Sequence, residues 1–252
     1  MAEMNDEKEN RQSWSVGVTC YNEEATIEKV VRKLQEVLPK IASNFEIIIV
    51  EDYSSDNSAK IIEKLVNEDP SHIKAIFHKE NQGIGRTIRD VYFNARYENL
   101  TYVPGDGQFD SYELIPVAKI ENNTYISFYR IRKNMAYSNF RSFMSYLNRV
   151  VNRNFTGLDL RDVNWVTVYK RNDVMNLDLT IHSSIIVSEI CAKLNLLKFK
   201  AIEIVSVYHP RIAGIPQGAS FRNVRLVALE TIKLIKSVRK FKRKLKKKCP
   251  VT

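Results

Sequence analysis

Short apolar runs alternate with helix-like segments through the first 104 residues, and this alternation most constrains the fold. The runs predict strands at 14–20, 45–50, 73–77 and 100–103. The segments between them place apolar residues three or four positions apart, as in amphipathic helices. An order βαβαβαβ implies a parallel sheet with right-handed crossovers. The second half is less regular and predicts strands near 125–130, 165–169 and 202–207, with helices near 140–155, 185–194 and 222–248.

Polar side chains follow three of these runs. Glu23 comes after the first strand, Asp52 after the second, and Asp106 with Gln108 after the fourth. The carboxyl ends of parallel strands are where α/β folds hold ligands. Carboxylate and amide oxygens suit a hard divalent cation, and such a cation suits a diphosphate. The sequence therefore predicts a nucleotide-diphosphate site at this edge of the sheet.

Length and composition fit one large α/β domain or a domain with a small appendage. The chain has 252 residues, of which 44% are hydrophobic, an ordinary value for a globular protein. No stretch approaches 18 uncharged apolar residues, so we expect no transmembrane helix. The acidic, polar first ten residues do not resemble a signal peptide. Three widely spaced cysteines favour a reducing compartment and no metal cluster.

The net charge of +10 is concentrated at one end. From Arg222 onward there are 12 Lys and Arg and a single acid, Glu230, whereas the preceding body carries 27 basic and 28 acidic residues. A neutral body with a basic tail argues against a nucleic-acid groove. It favours contact between the amphipathic segment 222–248 and an anionic membrane surface. A segment that packs on the body and leaves its lysines solvated is the alternative.

Four segments in order resemble the inverting GT-A glycosyltransferases of family 2. They are Tyr21 to Glu24, Glu51 to Asp56, Asn81 to Gly85 and Gly105 to Gln108. The resemblance covers about residues 13–214 and is closest to dolichol-phosphate mannosyltransferase and bacterial polyprenyl-phosphate glycosyltransferases. It implies a Rossmann-like, mostly parallel sheet flanked by helices. We therefore predict a polar tail at 1–12, a GT-A domain at 13–221 and a basic amphipathic helix and tail at 222–252.

The resemblance implies a metal site at Asp106 and Gln108. The family pattern is Asp-x-Asp-x-Gln, and here Pro104 replaces the first Asp. Mg²⁺ or Mn²⁺ accepts so few protein ligands when waters and a diphosphate supply the others. The ion would neutralise charge on the departing nucleoside diphosphate. Asp110 has the wrong offset for a required ligand, and a plain Pro-Gly-Asp-Gly turn is the alternative for the segment.

The resemblance also assigns the donor-binding residues. Those that line the nucleoside are Tyr21, Asn22 and Glu23, while Asp52 accepts from the nucleobase imino N–H. For Asp52 the alternative is a turn or capping role before Ser54. The segment predicted to approach the donor phosphates at a helix start contains Asn81, Gly83, Gly85 and Arg86. A tight turn is the alternative there.

The remaining candidates lie in the second half of the chain. The arginines proposed to grip an acceptor phosphate or the donor diphosphate are Arg130, Arg132 and Arg141, with a solvated basic face as the alternative. Asp162 is the candidate for sugar recognition or for the general base. Arg211 matches a late family segment that closes over the donor phosphates. His78 and His182 lack partners at ligand spacing and are predicted to be structural.

The resemblance implies transfer of a hexose, with inversion, from a UDP- or GDP-sugar to a polyprenyl (dolichyl or undecaprenyl) phosphate at the cytoplasmic face of a membrane. One alternative acceptor is a hydroxyl of a cell-surface polysaccharide or glycolipid. A second alternative is a catalytically degenerate nucleotide-sugar-binding protein. A nucleotidylyltransferase would need a Gly-rich basic signature near the first strand, and Thr19 to Glu24 lacks it.

Overall fold

The computed structural model describes residues 11–131, 146, 149–163, 165–211 and 221–248, with side chains of the last helix described from 229 to 247. The strands in this part of the chain are β1 (Trp14–Cys20), β2 (Phe45–Glu51), β3 (Ile73–Phe77), β4 (Asn99–Pro104), β5 (Thr124–Ile131), β6 (Thr167–Lys170) and β7 (Lys200–Val207). The α-helices are α1 (Ile27–Ile41), α2 (Ser58–Glu68), α3 (Ile84–Asn94), α4 (Arg171–Met175), α5 (Ile186–Leu196) and α6 (Phe221–Lys248). A 3₁₀-helix spans Ser111–Val117, and a π-helical turn spans Asn152–Thr156.

The strands form one seven-stranded sheet in the order β3-β2-β1-β4-β6-β5-β7. The first four strands are mutually parallel, as the alternation predicts. β6 runs antiparallel to both of its neighbours, while β5 and β7 pair in parallel. The predicted α/β class with a mostly parallel sheet and flanking helices is therefore confirmed. The helix predicted over 140–155 falls largely outside the described residues and ends in the π-helical turn.

Both faces of the sheet are buried, which explains the uninterrupted apolar runs. Along β2, Ile47 and Ile49 pack into one core with α1 and α2, whereas Ile48 and Val50 face a second core with α3 and α5. Successive side chains of a strand point to opposite faces, so each strand contributes to both cores. Cys20 and Cys191 are free thiols within these cores, and burial raises the pKa of each to about 12. Both thiols are therefore part of the packed interior.

Helix α6 packs against the body through only part of the apolar stripe that the sequence predicts. The sequence predicts one stripe that includes Leu229, Ile232 and Val238. Val238 is buried together with Leu234, but Leu229 and Ile232 are 54% and 56% exposed. Two polar contacts fix this rotation of the helix: Ser237 Oγ donates to Glu189 (2.6 Å) and Glu230 Oε2 accepts from Ser183 N (2.7 Å). In the described part of the chain, no helix has the length and apolar character needed to cross a bilayer.

Candidate functional site

The loops after β1 and β4 meet at the carboxyl edge of the sheet. Gly105 N donates to Thr19 O (2.9 Å), and Thr26 Oγ1 donates to Gly105 O (2.8 Å). A Cβ on residue 105 would lie 2.7 Å from Thr19 O, so only glycine permits this close approach of two backbones. The contact places Asp106 directly beside the loop that carries Glu23.

The loops after β1 and β2 are joined by a series of hydrogen bonds. Asn22, in the left-handed region at φ 56°, accepts from Ser55 N through its side-chain oxygen (2.8 Å). Ser54 Oγ accepts from Asn22 N, and Ser58 Oγ accepts from Glu23 N, both at 2.9 Å. Asn tolerates this backbone conformation better than most residues. The predicted nucleoside-binding segment is therefore a rigid double loop, with Tyr21 half-buried at its start.

Asp52 is buried and shapes the neighbouring loop. One carboxylate oxygen accepts from Gln82 N and the other from Gly83 N, both at 2.8 Å. Asp52 Oδ1 also lies 2.7 Å from Nδ1 of His78, whose Nε2 lies 3.0 Å from Asp90 Oδ2. His78 thus has two carboxylate partners in the folded chain, and its structural role stays a prediction. Both oxygens of Asp52 are already engaged, so its bond to a nucleobase stays a prediction.

We expect Asp52→Ala to lower the free energy of unfolding by about 1–3 kcal/mol, because it removes the buried carboxylate that accepts from two part-buried backbone amides and contacts His78. Thermal unfolding of the purified variant checks this. Asp110→Ala is a suitable control, because Asp110 accepts from the exposed start of the 3₁₀-helix and pairs with the half-buried Lys33. Loss of such a cap costs about 1 kcal/mol. Equal stability of the two variants would show that Asp52 does not hold the 82–83 turn.

Two glycines at the start of α3, Gly83 and Gly85, have distinct roles. Gly83 lies at φ 84°, with open space where a Cβ would be. A Cβ on Gly85 would instead lie 2.2 Å from His182 O, so Gly85 lets the helix pack against the 182–183 backbone. Asn81 Nδ2 donates to Asp52 O (3.3 Å), and the half-exposed Arg86 donates to Asp90 (3.0 Å). Ligand contact by these four residues remains a prediction.

Asp106 occupies the centre of the carboxyl edge. Its Oδ1 accepts from Gln108 N at 3.0 Å, and its Oδ2 lies 3.7 Å from a guanidinium nitrogen of Arg211. Burial raises the pKa of Asp106 above its usual range. The side-chain nitrogen of Gln108 donates to His209 O (3.2 Å), so its oxygen is not used in that contact. A cation beside these two oxygens would offset the unfavourable burial of the carboxylate, and in this respect the residues fit a divalent metal.

Among the described residues, no group of three His, Cys, Asp or Glu side chains could hold a metal by itself. Asp110 is directed to Lys33 and to the 3₁₀-helix rather than to Asp106. Asp110 therefore does not replace the acid that Pro104 removes from the family pattern. A metal here would draw its other ligands from water and substrate, as Mg²⁺ usually does.

Arg211 connects two acids at this edge. It forms an ion pair with Glu23 as well as the longer contact with Asp106. The Glu23 side chain is only 8% exposed. Burial, reinforced by the nearby charge of Asp106 and opposed by Arg211, raises the pKa of Glu23 to about 7. Glu23 is thus a carboxyl group that titrates near neutral pH within the predicted site.

Glu23 should make stability depend on pH. Because its folded pKa of about 7 exceeds its ordinary value of 4.5, the folded state keeps a proton that the unfolded chain releases. The stabilisation is complete below about pH 4.5 and is lost as pH rises through about 7. As the pH rises from 5 to 8, we expect the melting temperature of wild type to fall relative to that of Glu23→Gln. A constant difference across this range would contradict the raised pKa.

Arg130 and Asp162 form a second charged pair beside the first. Arg130 donates through Nε and a terminal nitrogen to the two carboxylate oxygens of Asp162, at 2.6 and 3.0 Å. The guanidinium lies 4.7 Å from the ring centre of Trp165 and 5.6 Å from that of Tyr208. Bidentate pairing and aromatic contacts both suit arginine rather than lysine. The pair is held rigidly, with each side chain only 17% exposed.

Tyr102 is a buried residue close to Asp106 and to the Arg130–Asp162 pair. Arg130, Asp162 and Asp106 all act electrostatically on its hydroxyl, and burial raises its pKa above the usual range. The sequence did not single out Tyr102 or Tyr208, since Tyr102 lies within a predicted strand and Tyr208 directly follows one. Only their positions at the carboxyl ends of β4 and β7 could have indicated that they lie near the site. Arg132 and Arg141 lie outside the described residues.

A model of the glycosyl transferase family 2 domain matches residues 15–172. This span contains every predicted site residue except Arg211. The chain belongs to glycosyltransferase family 2. The family thus accounts for the order of the polar segments and for their placement at one edge of the sheet.

A curated relative from Shewanella sediminis, an undecaprenyl-phosphate 4-deoxy-4-formamido-L-arabinose transferase, is 29% identical over 171 residues. The alignment covers 67% of this chain and 51% of the relative. The family 2 chain thus spans about half the length of that relative. Four further relatives of the same name are 23 to 26% identical.

Solved structures share the fold. Glucosyl-3-phosphoglycerate synthase from Mycobacterium tuberculosis, with Mn²⁺, UDP and product, superposes with a TM-score of 0.60 at 13% identity, covering 95% of this chain and 83% of that one. A mannosyltransferase from Pyrobaculum calidifontis with GDP-Man and Mn²⁺ superposes with a TM-score of 0.55 at 14% identity. The match covers 92% of this chain and 74% of that one. These similarities confirm the GT-A architecture of this family 2 chain.

Proposed function

We propose that this chain transfers a sugar, with inversion, from a nucleoside-diphosphate donor to a polyprenyl phosphate at the cytoplasmic face of a membrane. The proposal is supported by family membership and by relatives that are named for an undecaprenyl-phosphate acceptor. It is also supported by the grouping of Glu23, Asp106 and Arg211 at the carboxyl edge of the sheet. Basic and acidic groups at this edge suit a diphosphate bound through a metal.

The metal and the donor follow from this arrangement. Asp106 and Gln108 would hold Mg²⁺ or Mn²⁺, which supplies counter-charge for the leaving diphosphate. Arg211, next to Asp106, would contact the same phosphates, since a guanidinium suits bidentate phosphate binding. The loop of Tyr21, Asn22 and Glu23 would line the nucleoside. Structures of the same fold contain UDP or GDP-Man with Mn²⁺, so the proposal covers both UDP- and GDP-sugars.

The pairing of Asp162 with Arg130 is the reason for proposing a phosphate acceptor. Both of its oxygens accept from Arg130 at 2.6 and 3.0 Å, so the carboxylate is directed to the guanidinium rather than to an acceptor hydroxyl. A hydroxyl acceptor needs a general base, whereas a phosphate is already ionised and needs none. Asp162 is therefore proposed to orient Arg130, and Arg130 to attract the acceptor phosphate.

A hydroxyl acceptor on a surface glycan is the second candidate, and one observation favours it. Glu23, with its pKa raised to about 7, has the property expected of a general base at neutral pH. Under that alternative, Glu23→Gln removes turnover while the donor still binds. Under the phosphate-acceptor proposal, the same variant keeps turnover within about tenfold of wild type.

The proposed membrane contact is peripheral and involves α6. Leu229 and Ile232 are exposed on this helix, and its carboxyl half is rich in lysine and arginine. Exposed apolar side chains beside basic ones are typical of interfacial helices. A chain ended at Ser237 would lose the buried Val238 and the partly buried Phe241, so it would test packing as well as membrane contact. Leu229→Ser with Ile232→Ser is the cleaner change and is expected to weaken binding to anionic vesicles.

A donor and acceptor panel tests the proposed function. Radiolabelled UDP- and GDP-sugars are offered with undecaprenyl phosphate, with and without Mn²⁺, and label in the lipid fraction is measured. We expect lipid-linked product from one donor class, lost on chelation and lost in Asp106→Asn. Turnover only with a soluble glycan would favour the second candidate, and donor binding without any transfer would favour a degenerate binding protein.

A further inference from the structure

A groove of about 270 Å³ lies away from the carboxyl edge, between α6 and the segment 178–180. Five lysines line it: Lys193 of α5 and, along α6, Lys233, Lys236, Lys240 and Lys244. The four lysines of α6 are three or four residues apart, so they form one stripe along the helix. All four side chains therefore line the groove and are not distributed around the helix.

Three of these lysines have acidic partners. Lys193 is 1% exposed and pairs with the buried Glu189 at 2.7 Å. Lys244 lies 3.5 Å from Asp178, and Lys233 lies 3.8 Å from Glu230. The ion pairs of the described side chains around the groove do not include Lys236 or Lys240. Within the described part of the chain, the middle of the groove therefore carries two lysines without a carboxylate partner.

This arrangement is unfavourable without a ligand. Lys236 and Lys240 are four residues apart, as are Lys240 and Lys244, and like charges at this spacing destabilise a helix. The hydroxyl of Ser237, which also lines the groove, is committed to Glu189. An anion between Lys236 and Lys240 would remove the repulsion and gain two charge-assisted hydrogen bonds.

The surroundings of the stripe favour an amphiphilic anion over a small soluble one. The ring of Phe241 contributes an apolar wall to the groove. Leu229 and Ile232 precede Lys233 and Lys236 by four residues, so the exposed apolar side chains continue the face that carries the lysines. Such a face matches a lipid, whose phosphate would lie between the lysines while its acyl chains meet the apolar end.

We propose that this groove binds the phosphate headgroup of an anionic lipid, at a site separate from the carboxyl edge of the sheet. Lys236 and Lys240 bind the phosphate, and Phe241 contacts the glycerol or the first methylenes. This headgroup site is defined by its residues, and lipid binding there does not depend on the transferase reaction. It differs from diffuse attraction of a basic tail, because it assigns the binding to particular lysines.

Two double variants with the same change in charge test the proposal in the full chain. Lys236→Ala with Lys240→Ala removes the groove lysines, and Lys242→Ala with Lys246→Ala removes two exposed lysines elsewhere on α6. Binding to phosphatidylcholine vesicles containing phosphatidylglycerol is measured by co-sedimentation. Each lysine near an anionic leaflet contributes roughly fivefold in affinity, so we expect the groove variant to bind about 30-fold more weakly. The control should change by less than about threefold.

Equal losses in the two variants would show diffuse electrostatic attraction and overturn the assignment. Soluble glycerol phosphate is added in a second arm to separate a lipid from a free phosphate. If millimolar glycerol phosphate displaces wild type from the vesicles but leaves the groove variant unaffected, the groove serves a soluble phosphate and the lipid assignment is wrong. If glycerol phosphate does not displace the protein and only the groove variant loses vesicle binding, the lipid assignment is supported. Circular dichroism confirms that both variants remain folded.

Discussion

Asp106→Asn is expected to reduce turnover by about 10²–10³-fold while leaving the fold intact. The substitution keeps the size of the side chain and its hydrogen bond from Gln108 N, but it removes the charge that would bind the metal beside the leaving diphosphate. Because burial raises the pKa of Asp106, replacing it with a neutral amide should not destabilise the protein. The measurement is single-turnover transfer with saturating donor and Mn²⁺, alongside thermal unfolding.

Gln108→Glu is the matched variant for that experiment. It places a carboxylate at the second proposed ligand position and should retain metal-dependent transfer. An Asp106→Asn enzyme with near wild-type turnover in the presence of chelator would contradict the metal assignment. Loss of turnover together with a large fall in melting temperature would show instead that Asp106 supports the turn.

Arg130→Lys is expected to lower kcat/KM for the lipid acceptor by about 10²-fold, with the donor KM nearly unchanged. Lysine keeps the positive charge but cannot make the two parallel hydrogen bonds to Asp162 or occupy the space between Trp165 and Tyr208 in the same way. Loss of one positioned cation at a reacting phosphate typically costs about 10²–10³-fold. Initial rates at varied acceptor and fixed saturating donor give the value.

Asp162→Asn separates positioning from proton transfer. If Asp162 only orients Arg130, the variant should lose activity to a similar extent as Arg130→Lys, and its pH–rate profile should keep the wild-type shape. If Asp162 were the base, the limb of the profile that reports its titration would disappear. A rise in donor KM in Arg130→Lys would place the arginine on the donor phosphates instead.

The sequence predicted the sheet and the location of the site because both follow from local pattern. Continuous apolar runs such as Phe45 to Val50 indicate strands buried on both faces, and carboxyl ends of parallel strands meet at one edge. The antiparallel β6 was not predictable in this way. Its direction depends on the path of the chain between β5 and β6, where the sequence shows no alternation.

The detailed contacts of the site depended on tertiary structure. Asp52 appears at a strand end, yet its oxygens hold Gln82 and Gly83 some 30 residues later. Glu23 and Arg211 are 188 residues apart and meet only in the folded chain. The rotation of α6 was likewise decided by polar anchors, Glu230 and Ser237, that an apolar periodicity does not include.

Direct comparison of undecaprenyl phosphate with undecaprenol tests the central claim most directly. The two lipids share the chain and differ in the terminal group, so they separate a phosphate acceptor from a hydroxyl acceptor at the same membrane surface. Wild-type protein, its preferred nucleotide sugar and Mn²⁺ are assayed with each lipid in mixed micelles. The account predicts sugar-phosphate-linked product from undecaprenyl phosphate and none from undecaprenol. Equal or faster transfer to undecaprenol would contradict it and would favour the hydroxyl acceptor, for which Glu23 is the candidate base.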